Sequence, residues 1–313
     1  MSFSHDVRNE LARVIPEKEC CRKAELLGLI QTGAVVINAG EEKSALNLQA
    51  LNAATARKIF KLMKESFGLQ STVRIEKRKH FSKTRIYEVI TELFSNRDFP
   101  ILQELQLISA DKPNKEVNLD ILGKTCCKRS YLRGIFLSRG FINRPEGEYH
   151  LEIVFNDERL LLKVQKILNR FQIKTRSFQR KNNLVLYIKE SDKISDFLRV
   201  VGANRALLNF ENVRIIKSMR NTVNRQVNCE TANLAKTIDA SVRQIDLIKR
   251  AMQKEGWTSL PSHLKELAIL RTNYPDYTLR ELGEMTNPKL SKPGVAYRMR
   301  KLEKIAEKII DEY

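Results

Sequence analysis

CCRKAELLGL, Cys20 to Leu29, returns as CCKRSYLRGI, Cys126 to Ile135. Each copy is a cysteine pair, a basic pair, then an apolar run with a glycine eight residues after the first cysteine. The offset is about 106 positions, the length of a whole subdomain and not of a short solenoid repeat. A glycine inside a helix costs ~1 kcal/mol relative to alanine, which is tolerable where two helix backbones must approach closely. The pattern therefore predicts two helices crossing at Gly28 and Gly134, one from each half of a pseudo-symmetric domain. Two unrelated buried helices would also account for the apolar runs, and the shared order of elements downstream of each copy weighs against them.

After the first copy come a β-rich run, Ala34 to Ile37, a turn at Asn38-Ala39-Gly40, and an alternating strand, Leu46 to Leu51. A helical stripe at Ala56, Ile59, Phe60 and Met63 ends at Gly68. A second hairpin pairs Thr72–Ile75 with Arg85–Ile90, and a last helix is expected from about Ser95 to Leu105. The second copy leads into the same order: strands at Phe141-Ile142 and Tyr149–Ile153, a helix over Asp157–Phe171, a hairpin of Thr175–Phe178 and Leu184–Ile188, and a helix over Ile194–Val201. Each half reads αββαββα, so the fold class is α+β. A short opening helix from Ser4, its expected cap, to Val14 precedes both halves. The predicted boundaries are 1–212 for the doubled domain (halves about 16–106 and 122–212), a polar, Asn-rich linker at 213–237 partly helical, and an all-α domain at 238–313.

The 313 residues carry 56 Lys and Arg against 37 Asp and Glu, a net charge of +19. That surplus draws polyanions to the surface, and duplex nucleic acid is the partner class it favours. A heat-adapted surface would balance lysine with glutamate, and base exceeds acid here. No apolar run approaches the ~20 residues of a membrane span, and the N-terminus lacks a signal-peptide core, so no membrane partner and a cytoplasmic, nucleoid-associated location are expected. The five cysteines include no CxxC, and no His stands at zinc-ligand spacing. Thiols buried near the helix crossing are the expectation, with no metal and no cofactor.

The last fifty residues carry the most specific local signal. A helix starting near Pro261 is followed by a turn at Tyr274–Tyr277, and a capping box, Thr278-Leu279-Arg280-Glu281, opens a short helix. After the turn at Thr286–Leu290, Ser291 begins a longer helix with Pro293 in its first turn. Val295, Met299, Leu302, Ile305, Ala306 and Ile309 form its buried stripe. Short helix, turn, basic helix is the helix-turn-helix plan; a three-helix bundle with a solvated charged face is the plainer alternative. The residues expected at DNA are Thr278, Ser291, Lys292, Tyr297, Arg298, Arg300, Lys301 and Lys304. Lys292, Tyr297 and Arg298 are expected at base edges and Arg300, Lys301 and Lys304 at phosphate.

The doubled helix ending in glycine resembles the LAGLIDADG homing-endonuclease fold, in which two αββαββα halves form a saddle over duplex DNA. Across the whole chain the sequence resembles the WhiA family, through ELxxxxPxxxCCRKAEL (Glu10 to Leu26), CCKRSYLRGIFLSRGF (Cys126 to Phe141) and VNCETANLAKT (Val227 to Thr237). The resemblance implies a transcription regulator linked to sporulation or cell division. The nuclease fold needs an acid at the end of each crossing helix to hold divalent metal. Gly33 and Arg139 stand at those positions, so the resemblance implies a fold without its reaction, not an enzyme. An active endonuclease and an RNA-binding protein are the alternatives. On the saddle, Arg74, Lys77, Arg78, Lys79, Lys83 and Arg85 in one half and Lys174, Arg176, Arg180 and Lys181 in the other could meet DNA backbone. The same domain could instead dock a protein such as RNA polymerase or a co-regulator.

Overall fold

The structure is a computed structural model of the chain and describes residues 2–38, 43–77, 85–94, 98, 101 and 120–312. It divides into two compact units, Met1–Ser218 and Met219–Tyr313. In the first, α1 (Phe3–Arg13) precedes α2 (Glu19–Gly33), β1 (Ala34–Asn38), β2 (Lys43–Ala50), α3 (Ala53–Phe67), β3 (Ser71–Lys77) and β4 (Arg85–Phe94). The second half continues as α4 (Thr125–Arg139), β5 (Gly140–Ile142), β6 (Leu151–Phe155), α5 (Glu158–Arg170), β7 (Arg176–Arg180), β8 (Asn183–Ile188) and α6 (Ser191–Val201). The helix expected over Ser95–Leu105 and the tip of the Asn38-Ala39-Gly40 turn fall largely outside the described residues.

Both sheets are antiparallel and share one topology, β1-β2-β4-β3 and β5-β6-β8-β7. Alternation sets which face is buried: Leu46, Leu48 and Ala50 of β2 and Leu151, Ile153 and Phe155 of β6 all point into the core. Asn52 caps α3 by accepting from Thr55 N (2.7 Å), and Asp157 caps α5 by accepting from Arg159 N (2.9 Å). The α1 cap is Ser2 and not Ser4. Ser4 lies inside the first turn, buried, where its hydroxyl accepts from Ile142 N; a residue past the cap already has helical backbone and its side chain serves packing.

The crossing of α2 and α4 is as close as the two glycines predict. A methyl group added at Gly134 would overlap the Glu25 carbonyl oxygen, and one at Gly28 would overlap the Tyr131 carbonyl oxygen. Beside the crossing, Glu25 is fully buried and holds two cations. Arg133 of α4 reaches its carboxylate in a fork, Nε at 3.0 Å and Nη2 at 2.8 Å, and Lys58 of α3 makes an ion pair with it. Lys58 also donates to the Leu11 and Val14 carbonyls at 2.7 and 2.6 Å, and Arg133 to Val201 O at 3.1 Å. Burial pushes the Lys58 ammonium down to about 8 even though Glu25 works to hold it up. One acid thus ties together α1, α2, α3, α4 and the end of α6.

The segment expected as a linker, 213–237, is helix throughout. It lies within α7 (Asn204–Met252), whose start is capped by Glu10: its carboxylate accepts from Arg205 N and Ala206 N at 2.7 and 2.9 Å. Residues 218–236 are all exposed, and among the polar residues Met219, Val223, Val227 and Leu234 recur at helical spacing. Beyond the end of α7, Gly256 sits in a 3-10 turn, Glu255–Ser259.

In the second unit, α8 (Ser262–Asn273), α9 (Leu279–Met285) and α10 (Lys292–Glu312) enclose a core of Ile248, Leu264, Leu267, Leu282, Val295, Met299 and Leu302. No described helix is long and apolar enough to cross a membrane.

Candidate nucleic-acid interface

Two stretches build the approach to α10. The capping box at Thr278 is complete: Thr278 N donates to the Glu281 carboxylate at 2.7 Å, and Glu281 N donates to Thr278 Oγ1 at 3.4 Å. The backbone bond from Thr278 holds the Glu281 carboxyl below its usual range. The turn before Thr278 is clamped by Arg271, which is buried and donates to Tyr277 O at 2.7 Å and to Ser241 Oγ at 3.4 Å. Burial lowers the Arg271 pKa. Between α9 and α10, Thr286 Oγ1 donates to Gly283 O and Pro288 O (2.9 and 3.1 Å), and Asn287 N donates to the Glu266 carboxylate at 3.1 Å. Both turns are therefore fixed by side chains, and the start of α10 is held rigidly.

The stripe Val295, Met299, Leu302, Ala306 and Ile309 is buried. At 3.6 residues per turn the opposite face carries Tyr297, Arg300, Lys301 and Lys304, and all four are exposed. Tyr297 is 66% exposed, far more than a packing tyrosine would be. Ser291 and Lys292 are exposed at the helix start, and Val295 N donates to Ser291 O at 3.0 Å. Arg298 departs from this group. It sits on the flank, half-buried next to the apolar stripe, because position 298 adjoins Met299 and Leu302 on the helix wheel. From Lys289 to Lys304 there are six cations, Lys289, Lys292, Arg298, Arg300, Lys301 and Lys304, against one acid, Glu303. Glu303 accepts from Gln244 Nε2 at 2.9 Å. Among the described residues none of the six makes an ion pair, and Arg300 Nε donates only to its own helix at Ala296 O (3.2 Å). Lys289, exposed in the turn, and the Arg271 clamp are not legible as site residues in the sequence; Lys289 lies in an otherwise apolar-polar turn, and Arg271 looks like any helix-surface cation until its burial is known.

The saddle differs. Its faces are defined by register. In the second half one row runs Phe141, Glu152, Tyr187, Arg176 and the next Val154, Val185, Phe178. Arg180 donates to Glu152 at 3.0 and 3.3 Å, and His150 Nε2 lies 3.2 Å from the same carboxylate. Burial works to raise the Glu152 carboxyl, and the bonds from Arg180 and His150 outweigh it, leaving it below its usual range. Phe178 meets Tyr187 edge-on at 5.5 Å. Lys174, Arg176 and Lys181 are exposed on or beside β7, the edge strand. In the first half Arg74 is exposed on the edge strand β3 and faces Glu88 across the sheet, where Gln49 also donates to Glu88 at 3.3 Å; Glu92 stands on the same face as Glu88. Lys77 and Arg85 end their strands as paired neighbours, and Arg78, Lys79 and Lys83 lie outside the described residues. Of the described saddle cations, Arg180 is paired with Glu152, Arg74 lies opposite Glu88 in the strand register, and Lys174, Arg176 and Lys181 are exposed on or beside the edge strand β7.

At the far ends of the crossing helices, Gly33 packs so that a methyl group would overlap Ser138 Oγ, and Arg139 Nε donates to Thr32 O at 2.9 Å. No carboxylate occupies either position. Among the described residues the one group of metal-ligating side chains is at the opposite ends of these helices, where Cys20, Cys21, Cys126 and Cys127 converge.

Known proteins resemble the chain along nearly its whole length. Three family models match: the WhiA N-terminal LAGLIDADG-like domain over residues 19–108, the WhiA LAGLIDADG-like domain over 128–220 and the WhiA C-terminal HTH domain over 223–306. A probable cell division protein WhiA from Syntrophomonas wolfei is 57% identical over 315 residues, covering 100% of both chains. One from Heliobacterium modesticaldum is 43% identical, covering 98% of this chain and 96% of that one. The crystal structure of full-length DUF199/WhiA from Thermatoga maritima superposes with a TM-score of 0.61 at 26% identity, covering 99% of each chain.

Proposed function

The chain belongs to the WhiA family, and we propose that it is a sequence-specific DNA-binding transcription regulator, of the kind tied to sporulation or cell division, whose reading element is α10. The observation that carries this is the six cations facing one acid between Lys289 and Lys304, on a helix whose opposite face is fully used in the core. The exposed helix start suits Ser291 and Lys292 to the groove edge, and Tyr297 stands one turn further along to reach base edges. Arg300, Lys301 and Lys304 are suited to phosphate, which positions the helix without specifying sequence. Arg298 supports the flank and is a weaker candidate for base contact than its charge suggests. Thr278 acts through the capping box, fixing the entry to α9.

Strand scission is not part of this reading. Two-metal hydrolysis needs a carboxylate at the end of each crossing helix, and those ends carry Gly33 and Arg139. For the N-terminal unit a protein partner, such as RNA polymerase or a co-regulator, is favoured over DNA backbone by a specific observation: the sheet faces carry Glu88, Glu92, Glu152 and Tyr187 on their central strands, with Phe141 and Phe178 on the edge strands of the second sheet. A face whose acids offset its cations gives phosphate little net attraction, whereas aromatic side chains ringed by charge suit protein contact. The workplace on this reading is the nucleoid in the cytoplasm.

Selection of duplexes from random DNA tests the reading, run on the full chain and on Tyr297→Ala, with Mg²⁺ present and the products checked for cleavage. An enriched motif that weakens in the variant, on intact DNA, is the expected outcome. A motif indifferent to Tyr297 would move reading away from α10, RNA outcompeting duplex DNA would change the partner, and cut DNA would overturn the non-catalytic assignment.

A further inference from the structure

The four sulfurs of Cys20, Cys21, Cys126 and Cys127 lie within 4.8 Å of one another. They belong to the two copies of the doubled motif, about 106 positions apart, and each pair occupies the first turn of a crossing helix, α2 or α4. We propose that these thiols form a tetrathiolate site for Zn²⁺, which staples the two halves of the N-terminal unit at their pseudo-symmetry axis.

A tetrahedral zinc with Zn–S bonds of about 2.3 Å requires sulfurs about 3.8 Å apart, so closing the existing cluster onto an ion needs only small side-chain rotations. The donor set is complete at four, which is the closed coordination of a structural site. Soft thiolates in a tetrahedron select zinc over hard cations such as magnesium.

Electrostatics points the same way. A zinc with four thiolates carries two net negative charges. Both helices present their N-termini to it, and their caps, Lys18 and Lys124, make no side-chain capping bond, so the first-turn N–H groups and helix dipoles face the sulfurs. Arg22, Lys128 and Arg129 add positive charge on the same turns, while Lys23 is paired with Glu19 of the first turn. The four sulfurs face one another across the axis, two from each helix. The bond from Cys21 holds the Cys126 thiol below its ordinary range, while burial pushes Cys21 and Cys127 up. Buried thiols that resist ionising alone give up their protons to solvent when a cation takes their place.

A supporting shell is present too. Ser130, buried one turn on from Cys126 and Cys127, works to lower the Cys21 thiol and accepts from Arg133 Nη2 at 3.2 Å, the same arginine that grips Glu25. Such outer partners orient the ligands of metal sites. Cys20 and Cys126 are half-buried and Cys21 and Cys127 buried, so an ion can enter past the outer pair and be closed in by the inner one. The fifth cysteine, Cys229, is exposed on α7 and takes no part.

The test uses untagged full-length chain, expressed with zinc in the medium and purified without chelator, and analysed for metal. The expected content is about one zinc per chain, kept by Cys229→Ser and reduced roughly tenfold in Cys20→Ser/Cys126→Ser. Should that double variant fail to fold, as judged by circular dichroism, wild-type chain stripped of metal and loaded with Co²⁺ decides. Sulfur-to-cobalt charge transfer and the intense visible bands of a tetrahedral site are expected, and weak octahedral bands would overturn the proposal. It is equally overturned by wild-type chain that stays metal-free in excess zinc with all five thiols reactive, by disulfides joining Cys21 to Cys126 or Cys20 to Cys127 in freshly isolated protein, or by a folded double variant that retains its zinc.

Discussion

The N-terminal unit and α10 handle their charge in opposite ways. In the N-terminal unit cations meet acids: Glu25 holds Lys58 and Arg133 in the core, Glu152 holds Arg180 on the saddle, and Arg74 faces Glu88. On α10 and the turn before it, six cations between Lys289 and Lys304 meet one glutamate, already engaged by Gln244. In the sequence the two regions look alike, each a cluster of lysine and arginine. A net charge of +19 is therefore not a surface property until its partners are known. Matched cations build structure; unmatched ones attract a polyanion.

The largest effect that could undo this contrast lies in the core. Glu25→Ala leaves Lys58 and Arg133 buried without their acid, and equilibrium unfolding in denaturant is expected to show a loss of about 3–5 kcal/mol. A loss near zero would mean that the matching is incidental. For the unmatched cations, Arg300→Ala/Lys301→Ala/Lys304→Ala is expected to weaken duplex binding about 100-fold at fixed moderate salt and to make the plot of log affinity against log salt shallower by about 2–3. An unchanged slope would show that these cations are solvated and not at phosphate.

Smaller effects define the saddle's part. Glu88→Gln/Glu92→Gln/Glu152→Gln removes three negative charges and releases Arg180. If acids keep DNA off the sheets, non-specific affinity in a filter or anisotropy assay should rise roughly fivefold and the salt slope steepen by about 1. Removing edge cations instead, Arg176→Ala/Lys181→Ala, should leave wild-type duplex affinity within about twofold. A tenfold loss in that variant would make the saddle a DNA surface after all.

Much of the fold is legible along the chain because its signals are local and repeat. The strand alternation at Leu46–Ala50, the stripe along α3 and the capping box at Thr278 each come from spacing. The crossing at Gly28 and Gly134 is legible because a doubled glycine implies a doubled close approach. The exposed face of α10 is nearly so: its buried stripe fixes Tyr297, Arg300, Lys301 and Lys304 outside, and only Arg298, at the border, departs from expectation. The segment 213–237 reads as a linker because polar and Asn residues dominate it, although Ile215, Met219, Val223 and Val227 recur at the spacing of the helix that is found there.

The doubled motif, the helix-turn-helix plan and the lack of acids at Gly33 and Arg139 are legible in the sequence alone, since periodicity, caps and residue identity are written along the chain. Which charges are neutralised and which thiols meet is settled only in three dimensions. Glu25 and Arg133 are 108 positions apart, and Cys20 and Cys126 about 106. No local rule carries such pairings, because they depend on how two helices cross and on which side chains the crossing brings within bonding distance.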